Sequence, residues 1–594
     1  MIRSNGHSFH IPVLGIGYSI DTPVKVAQFG ISSVISLVDD MLMEKMREFY
    51  SEKFEIPYQA ITEKIEDFRA KRITAYLDLM DKIVKDKFEE VKNSVIQKGS
   101  EFSKYMEMLP DTSELKEKFN RLRNSNFSDI RDWLVNNLTP GSIDVNIMTK
   151  LDKPNYLKKE QLPIEFNDAH AALRGFANSN LNSSMVLSAG MNPRLYSYME
   201  QFEDFYPDKD NSLRKKIILK VSDYRSAIIQ GKFLAKKGLW VSEYRVESGL
   251  NCGGHAFATN GYLLGPILNE FKLNRDIIIR TTHDLLVEAL KEKKRPYPEQ
   301  PLPVKVTAQG GIGTADEHQF LIDHYQVDSV GWGSPFLLVP EVTNVEEETL
   351  KLLSDAKEED IYLSDISPLG IPFSNLRGNS QDMIKDEFVR QGRPGSACTK
   401  KYASLNYEYS DTPLCTASRQ YQKKKIGELQ KETIEPVEFD KEFDAIVEKS
   451  CICKGLGTAA LMVNNIDIRE EGYGISICPG PNLAYFSETV SLNEMVDHIY
   501  GRKNIIKRID RPNMFIKELM LYIDYLEKRI SEAPKPFSVK QSDYFIQFKS
   551  NLSEGIIYYK ELFKTQKARL ANAKTAFMKE LSILKDKLDT IQIS

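Results

Sequence analysis

Two glycine-rich stretches stand close together in the chain, VTAQGGIG at 306–313 and DSVGWGSPF at 328–336. Each carries a short apolar, β-branched run into a turn, and between them Ala315 to Tyr325 has helical length and spacing. Strand, glycine loop, helix, strand, glycine loop is the order expected at the end of a (β/α)8 barrel, where the loops after strands seven and eight commonly hold a phosphate. Glycine lets several backbone N–H groups converge on one anion, and a helix N-terminus adds positive potential. Gly310, Gly311 and Gly313 are expected to form one wall of that cradle, and Gly333 and Ser334 the other. One such cluster could be a tight turn and nothing more; two in successive strand-end loops favour the cradle.

Working outward, short runs rich in Val and Ile alternate with helical patterns through the first 340 or so residues, as in buried parallel strands with crossover helices. Eight strands are expected: Ile11 to Gly17, Ser33 to Leu37, Ile143 to Met148, Met185 to Ala189, Ile217 to Val221, Trp240 to Val246, Val304 to Ala308 and Val327 to Gly331. The fold class is therefore α/β, a (β/α)8 TIM barrel formed by 1–38 and 141–345. Residues 39–140 are far longer than an ordinary barrel loop and contain two amphipathic patterns, MLMEKMREFYSEKF at 41–54 and LDLMDKIVKDKFEEVKNSVI at 77–96, so a helical insertion after strand two is expected. Residues 346–510 show no sustained period and form a mixed extension containing most of the cysteines. From 511 to 594 the pattern is helical, broken at Pro534 and Pro536 and resumed from Tyr544 to Ile591, which predicts a helical hairpin.

The bulk composition narrows the function. With 41% hydrophobic and 28% charged residues the chain reads as globular, and a net charge of −4 disfavours nucleic acid as a partner. The start MIRSNGHSFHIPVLG lacks a secretory pattern, and no apolar run approaches the roughly 20 residues that cross a bilayer. A cytoplasmic location without a membrane partner is expected.

After the sixth strand comes VESGLNCGGH at 246–255. A strand ending in Gly-Gly-His, followed by an Ala-Gly-Gly-Ile-like loop and a Gly-Thr-like loop, resembles the nitronate monooxygenases and the flavin-dependent enoyl-acyl carrier protein reductases. Gly253, Gly254 and His255 match the first element, Gly310, Gly311 and Ile312 the second, while Gly333 with Ser334 takes the place of the third. Ile11-Pro12, Thr22-Pro23 and GISSVIS at 30–36 look like that family's opening, so the resemblance spans about 10–345 without the insertion. It implies FMN as cofactor, with Asn146 on strand three hydrogen-bonded to the flavin ring and Lys220 at the end of strand five placed to stabilise negative charge on it. His255 is the expected proton-transfer residue, because imidazole has an ordinary pKa of about 6.5. Cys252 stands where relatives often have Ala and reads as a small buried residue. The long insertion, the extension, and Ser248 and Asn251 in place of the family's usual Gln and Glu bear on the substrate more than on the flavin.

Four of the six cysteines fall between 398 and 453. Thiolates bind soft metals, so Cys398, Cys415, Cys451 and Cys453 are expected to hold a [4Fe-4S] cluster or a structural zinc, with Cys478 as substitute ligand; the alternative is four buried apolar thiols. Together these features imply an FMN-dependent oxidoreductase that reduces an activated C=C bond of a small or carrier-bound acyl substrate, or oxidises a nitronate-like carbanion. NAD(P)H or a protein would donate electrons, and a homo-oligomer is compatible with the sequence. The competing readings are a flavin-barrel scaffold binding a partner through its helical extension, and an RNA-modifying flavoenzyme, which Gly-Gly-His and the lack of a basic stretch disfavour.

Overall fold

A computed structural model of the chain describes residues 6–94, 99–122, 133, 136–188, 190–565 and 571–593. Eight parallel strands close into a barrel: β1 (Phe9–Ile11), β2 (Ser32–Ser36), β3 (Ile143–Met148), β4 (Ser183–Ser188), β5 (Lys215–Val221), β6 (Val241–Glu247), β7 (Lys305–Gln309) and β8 (Ser329–Gly331). Each strand pairs with its neighbours in sequence order, and β1 closes the ring on β8 with Phe9 opposite Val330. This is the expected (β/α)8 fold. Ala189, at the end of the expected fourth strand, lies outside the described residues.

The first strand differs most from expectation, running over Phe9–Ile11 rather than Ile11 to Gly17. Pro12 has no N–H to donate to a ladder, and Gly15 turns the chain at a φ of 56°. The apolar run beyond is used instead for packing, with Gly17 donating its N–H to the Leu456 carbonyl at 2.8 Å. Inside the barrel Val34, Val186 and Ile218 form a small apolar cluster. Beside it Glu243 is paired with Arg245 at 2.8 Å and accepts from the Thr307 hydroxyl at 2.6 Å, so charge buried between strands is matched by opposite charge and a donor.

The insertion contains helices Asp40–Lys53, Phe68–Asn93, Glu101–Met108 and Glu114–Leu122. It is tied to both the barrel and the extension by a buried ionic network. Asp40 accepts from Arg69 and Arg72, while Lys400 of the extension reaches Asp39 and, at 3.5 Å, Glu471. Tyr402 donates to Asp39 at 2.9 Å. Residues 346–510 form short helices and a hairpin of β9 (Ile361–Ser364) and β10 (Phe373–Leu376), which lie over the barrel mouth.

The C-terminal region contains three helices, Met514–Glu532, Val539–Thr565 and Ala571–Thr590, rather than the expected hairpin. The run beginning at Tyr544 is two helices whose apolar stripes meet, Phe563 stacking on Phe577 at 3.8 Å between centroids. A single helix of that length would have left much of its stripe in water. Among the described residues no helix is long and apolar enough to cross a membrane.

Candidate active site

A cavity of about 210 Å³ opens at the C-terminal ends of the barrel strands, where (β/α)8 enzymes place their chemistry. Its floor is polar, built from Asn146, Lys220, Arg245, Glu247 and Gln309 on β3 and β5–β7. Its roof is apolar and comes largely from the extension, through Leu369, Phe373, Ala403, Ile452, Leu456 and Ile477. The chain thus divides the cavity into a hydrogen-bonding side supplied by strand ends and a water-excluding side supplied by residues beyond 345.

Of the residues singled out in the sequence, His255, Asn146, Lys220, Gly253, Gly254, Gly310, Gly311, Gly333 and Ser334 all line this cavity. Gly313 does not. Its N–H donates to Glu317 at 2.9 Å, and its carbonyl meets His498 Nε2 at 2.8 Å. The side chains of Thr314 and Glu317 cap helix Ala315–Tyr325 in a capping box, so the positive end of that helix is already used by the protein itself. The N–H groups of Gly310, Gly311, Gly333 and Ser334 are what such a cradle can offer. Gly310 and Gly311 have φ of 110° and 80°, a turn that side chains resist.

Asn146 Oδ1 and Gln309 Oε1 are buried at the cavity without a hydrogen-bond partner. A buried unpaired amide oxygen costs about 1–3 kcal/mol, which a ligand carrying an N–H would recover. A ligand for this cavity would therefore present an N–H group to Asn146, beside the glycine wall at the strand ends.

Lys220 is not a bare cation. Its ammonium lies 2.7 Å from Glu247 Oε2, and Glu247 also accepts from the Gln309 amide. Burial disfavours the Lys220 charge, but Glu247 outweighs it and holds the lysine above its ordinary pKa. Arg245 and Glu247, both absent from the expected site, follow from strand alternation: they are two apart on β6 and face the same way as Lys220 on β5.

His255 sits edge-on to Phe373, 4.9 Å between centroids, and its Nε2 is 2.7 Å from Ser367 Oγ. Burial, with Lys220 and Lys150 adding to it, lowers its pKa to about 4. The imidazole is uncharged at neutral pH, a hydrogen-bonding group rather than a ready acid. Burial pushes the Cys252 thiol well above its ordinary range, in keeping with a packed residue rather than a nucleophile.

The loop bearing His255 is held from outside the barrel. Gly254 donates to the Cys478 carbonyl at 3.2 Å and accepts from Ser374 N at 2.8 Å, and Ala256 donates to Pro372 at 2.9 Å. Glu518, on helix Met514–Glu532 and 1% exposed, accepts from Ser248 Oγ at 2.5 Å and from Leu264 N at 2.9 Å, gripping both ends of the loop. Burial raises its pKa to about 7. Arg511 donates to the Gly311 carbonyl at 2.9 Å and is paired with Glu317 at 2.8 Å. None of these clamps had a signal in the sequence, since each joins segments more than a hundred residues apart; only ICPGPN at 477–482, noted for Cys478 alone, carried the Gly-Pro content of a tightly fitted loop.

The structure brings Cys398, Cys415, Cys451 and Cys453 into one neighbourhood, Cys398 partly buried and the other three buried. The expected metal site is not found there. Among the described residues no group of three or more His, Cys, Asp or Glu side chains is arranged to hold a metal ion. All six cysteines are free.

No protein-family model matches the chain, and no curated protein matches it. Among solved structures it is similar to the enoyl reductase domain of MlnA from the macrolactin biosynthesis cluster of Bacillus amyloliquefaciens, with 14% identity and a TM-score of 0.32 over 68% of this chain and 86% of that one. So distant a likeness carries no argument about activity, and the assignment of this chain to the (β/α)8 barrels stands on its own closed ring of eight parallel strands.

Proposed function

We propose that the chain is an FMN-dependent oxidoreductase acting on an apolar, acyl-type substrate, by reduction of an activated C=C bond or by oxidation of a nitronate-like carbanion. The observation that carries this reading is the buried, unpartnered Asn146 amide oxygen in a cavity walled by two glycine loops at the strand ends. FMN, when bound, supplies hydride or single-electron transfer. Asn146 and Gln309 would hydrogen-bond its ring, and the N–H groups of Gly310, Gly311, Gly333 and Ser334 would hold its phosphate. Lys220, held above its ordinary pKa by Glu247, puts a cationic donor at the polar floor.

His255 acts as a neutral imidazole, its N–H stabilising negative charge that develops on the substrate, with Ser367 orienting the ring. The roof residues exclude water and accept an apolar chain. NAD(P)H or a partner protein would supply electrons. A reading as a partner-binding scaffold is weaker, because Glu518 and Arg511 engage the helical extension with the cavity's own loops. Heat release of the bound cofactor followed by chromatography tests the proposal. FMN is the expected product; FAD, or no flavin after reconstitution with FMN, refutes it.

A further inference from the structure

The segment ICPGPN at 477–482 belongs to the extension, yet it touches three strand-end loops of the cavity. In the loop after β6, Gly254 N donates to the Cys478 carbonyl at 3.2 Å. After β8, Ser334 Oγ accepts from Gly480 N at 2.7 Å, and after β7 the Ile312 carbonyl accepts from Asn482 Nδ2 at 2.8 Å. The fit is backbone against backbone: a Cβ on Gly253 would lie 2.5 Å from the Cys478 carbonyl oxygen, and one on Gly480 would lie 3.1 Å from Gly253 N. One short segment thus bridges three loops that leave separate strands.

Arg511 completes the bridge. Its side chain is 7% exposed and paired with Glu317, so it is no free surface cation. Its Nε donates to Asn482 Oδ1 and its Nη2 to the Gly311 carbonyl, each at 2.9 Å. In a trans peptide the carbonyl and the following N–H point opposite ways, so a Gly311 carbonyl drawn to Arg511 turns the Ile312 N–H away from it. That N–H makes no hydrogen bond to a described residue, and neither do those of Gly310 and Gly311. The amides of Gly313 and Thr314, by contrast, are taken by Glu317. Ser334 Oγ, accepting from Gly480, keeps its own proton to give. The donors left over, on Gly310, Gly311, Ile312 and Ser334, all belong to residues that line the cavity.

We infer that Asn482 and Arg511 are positioning residues for the phosphate of the cofactor, holding the loop after β7 so that the N–H groups of Gly310, Gly311 and Ile312, with the Ser334 hydroxyl, grip it. This rests on the FMN reading and adds that the grip is set by the extension and not by the barrel alone. Arg511 acts through the loop: its charge is matched by Glu317, and its fork fixes the Gly311 carbonyl and Asn482 together.

FMN and riboflavin differ only in the phosphate, so their affinities for the full chain, measured by fluorescence titration, isolate the grip. The unaltered protein should bind FMN at least ~10-fold more tightly than riboflavin. Asn482→Leu and Arg511→Lys should each weaken FMN by ~10-fold or more and leave riboflavin within about threefold. Lysine keeps the charge opposite Glu317 and loses the fork. FMN affinity retained in the lysine variant, an equal loss for both flavins, or no loss in either variant would each overturn the inference. A second measurement needs no variant: FMN, and not riboflavin, should slow amide hydrogen exchange at 508–514, a segment outside the cavity lining. Equal protection by both flavins, or protection by neither, overturns the inference as well. An unaltered chain that binds neither flavin removes the FMN reading and this inference together, and that result is told apart from the others by the first titration.

Discussion

Glu518→Gln preserves the size of the side chain and both of its contacts, since the amide oxygen can accept from Leu264 N and the amide nitrogen can donate to Ser248 Oγ. What it removes is an ionisable group in a buried place. Burial raises the carboxyl from its ordinary 4.5 to about 7, equivalent to ~3 kcal/mol at about 1.4 kcal/mol per pH unit. The sign follows from proton uptake. Below pH 4.5 folded and unfolded chains both carry the proton and there is no penalty. Between 4.5 and about 7 the unfolded chain releases it first, so the native state loses stability as pH rises, and above about 7 the full ~3 kcal/mol is lost. Glutamine has no such slope.

Urea midpoints of the unaltered protein and of the E518Q variant, together with hydrogen exchange at the Leu264 amide, should therefore diverge between pH 5 and pH 8 in favour of the variant, by ~2–3 kcal/mol. Exchange at Leu264 should quicken with pH in the unaltered protein beyond the intrinsic chemical rate. A difference between the two proteins that stays constant to within about 1 kcal/mol over that range would refute the reasoning, and would mean that Glu518 ionises freely.

His255→Ala should retain FMN, measured by absorbance of the purified protein, and lose turnover by about 10²–10³-fold, as for removal of one donor to developing negative charge; loss of the flavin would make His255 structural instead. Gly253→Ala would bring a methyl carbon to 2.5 Å from the Cys478 carbonyl oxygen, so the 477–482 segment must move, and flavin affinity measured by fluorescence titration should fall about tenfold or more. Unchanged affinity would separate that segment from the cofactor site.

How much was legible in the sequence depended on how far apart the cooperating residues lie. The barrel was readable because each strand is a local run of β-branched residues, and the Ala315 to Tyr325 helix because it is bounded by Thr314 and the αL residue Gln326. His255, Asn146, Lys220 and most of the glycines were readable because they sit at strand ends, where the barrel places them in one cavity whatever the loops do. The roof was not readable. Phe373, Ile452, Leu456 and Ile477 look like any scattered apolar residues until the extension folds over the mouth. Gly313 misled because its glycine was taken for ligand binding when its N–H serves the cap of the next helix. The cysteine spacing announced proximity, but spacing alone does not decide between coordination and buried apolar thiols.

Glu518 also sets a schedule. It lies 270 residues beyond Ser248, which it holds, and synthesis at about 5–20 residues per second separates the two by roughly 15–55 s. The barrel ring itself can close once β8 has left the ribosome, yet throughout that interval the loop carrying His255 is without its grip, and the apolar face destined for the roof and the C-terminal helices is open to other chains. A product terminated shortly after the barrel should be recovered as aggregate rather than as a smaller soluble protein. The cost of completing this cavity from the far end of the chain is borne before the cavity exists.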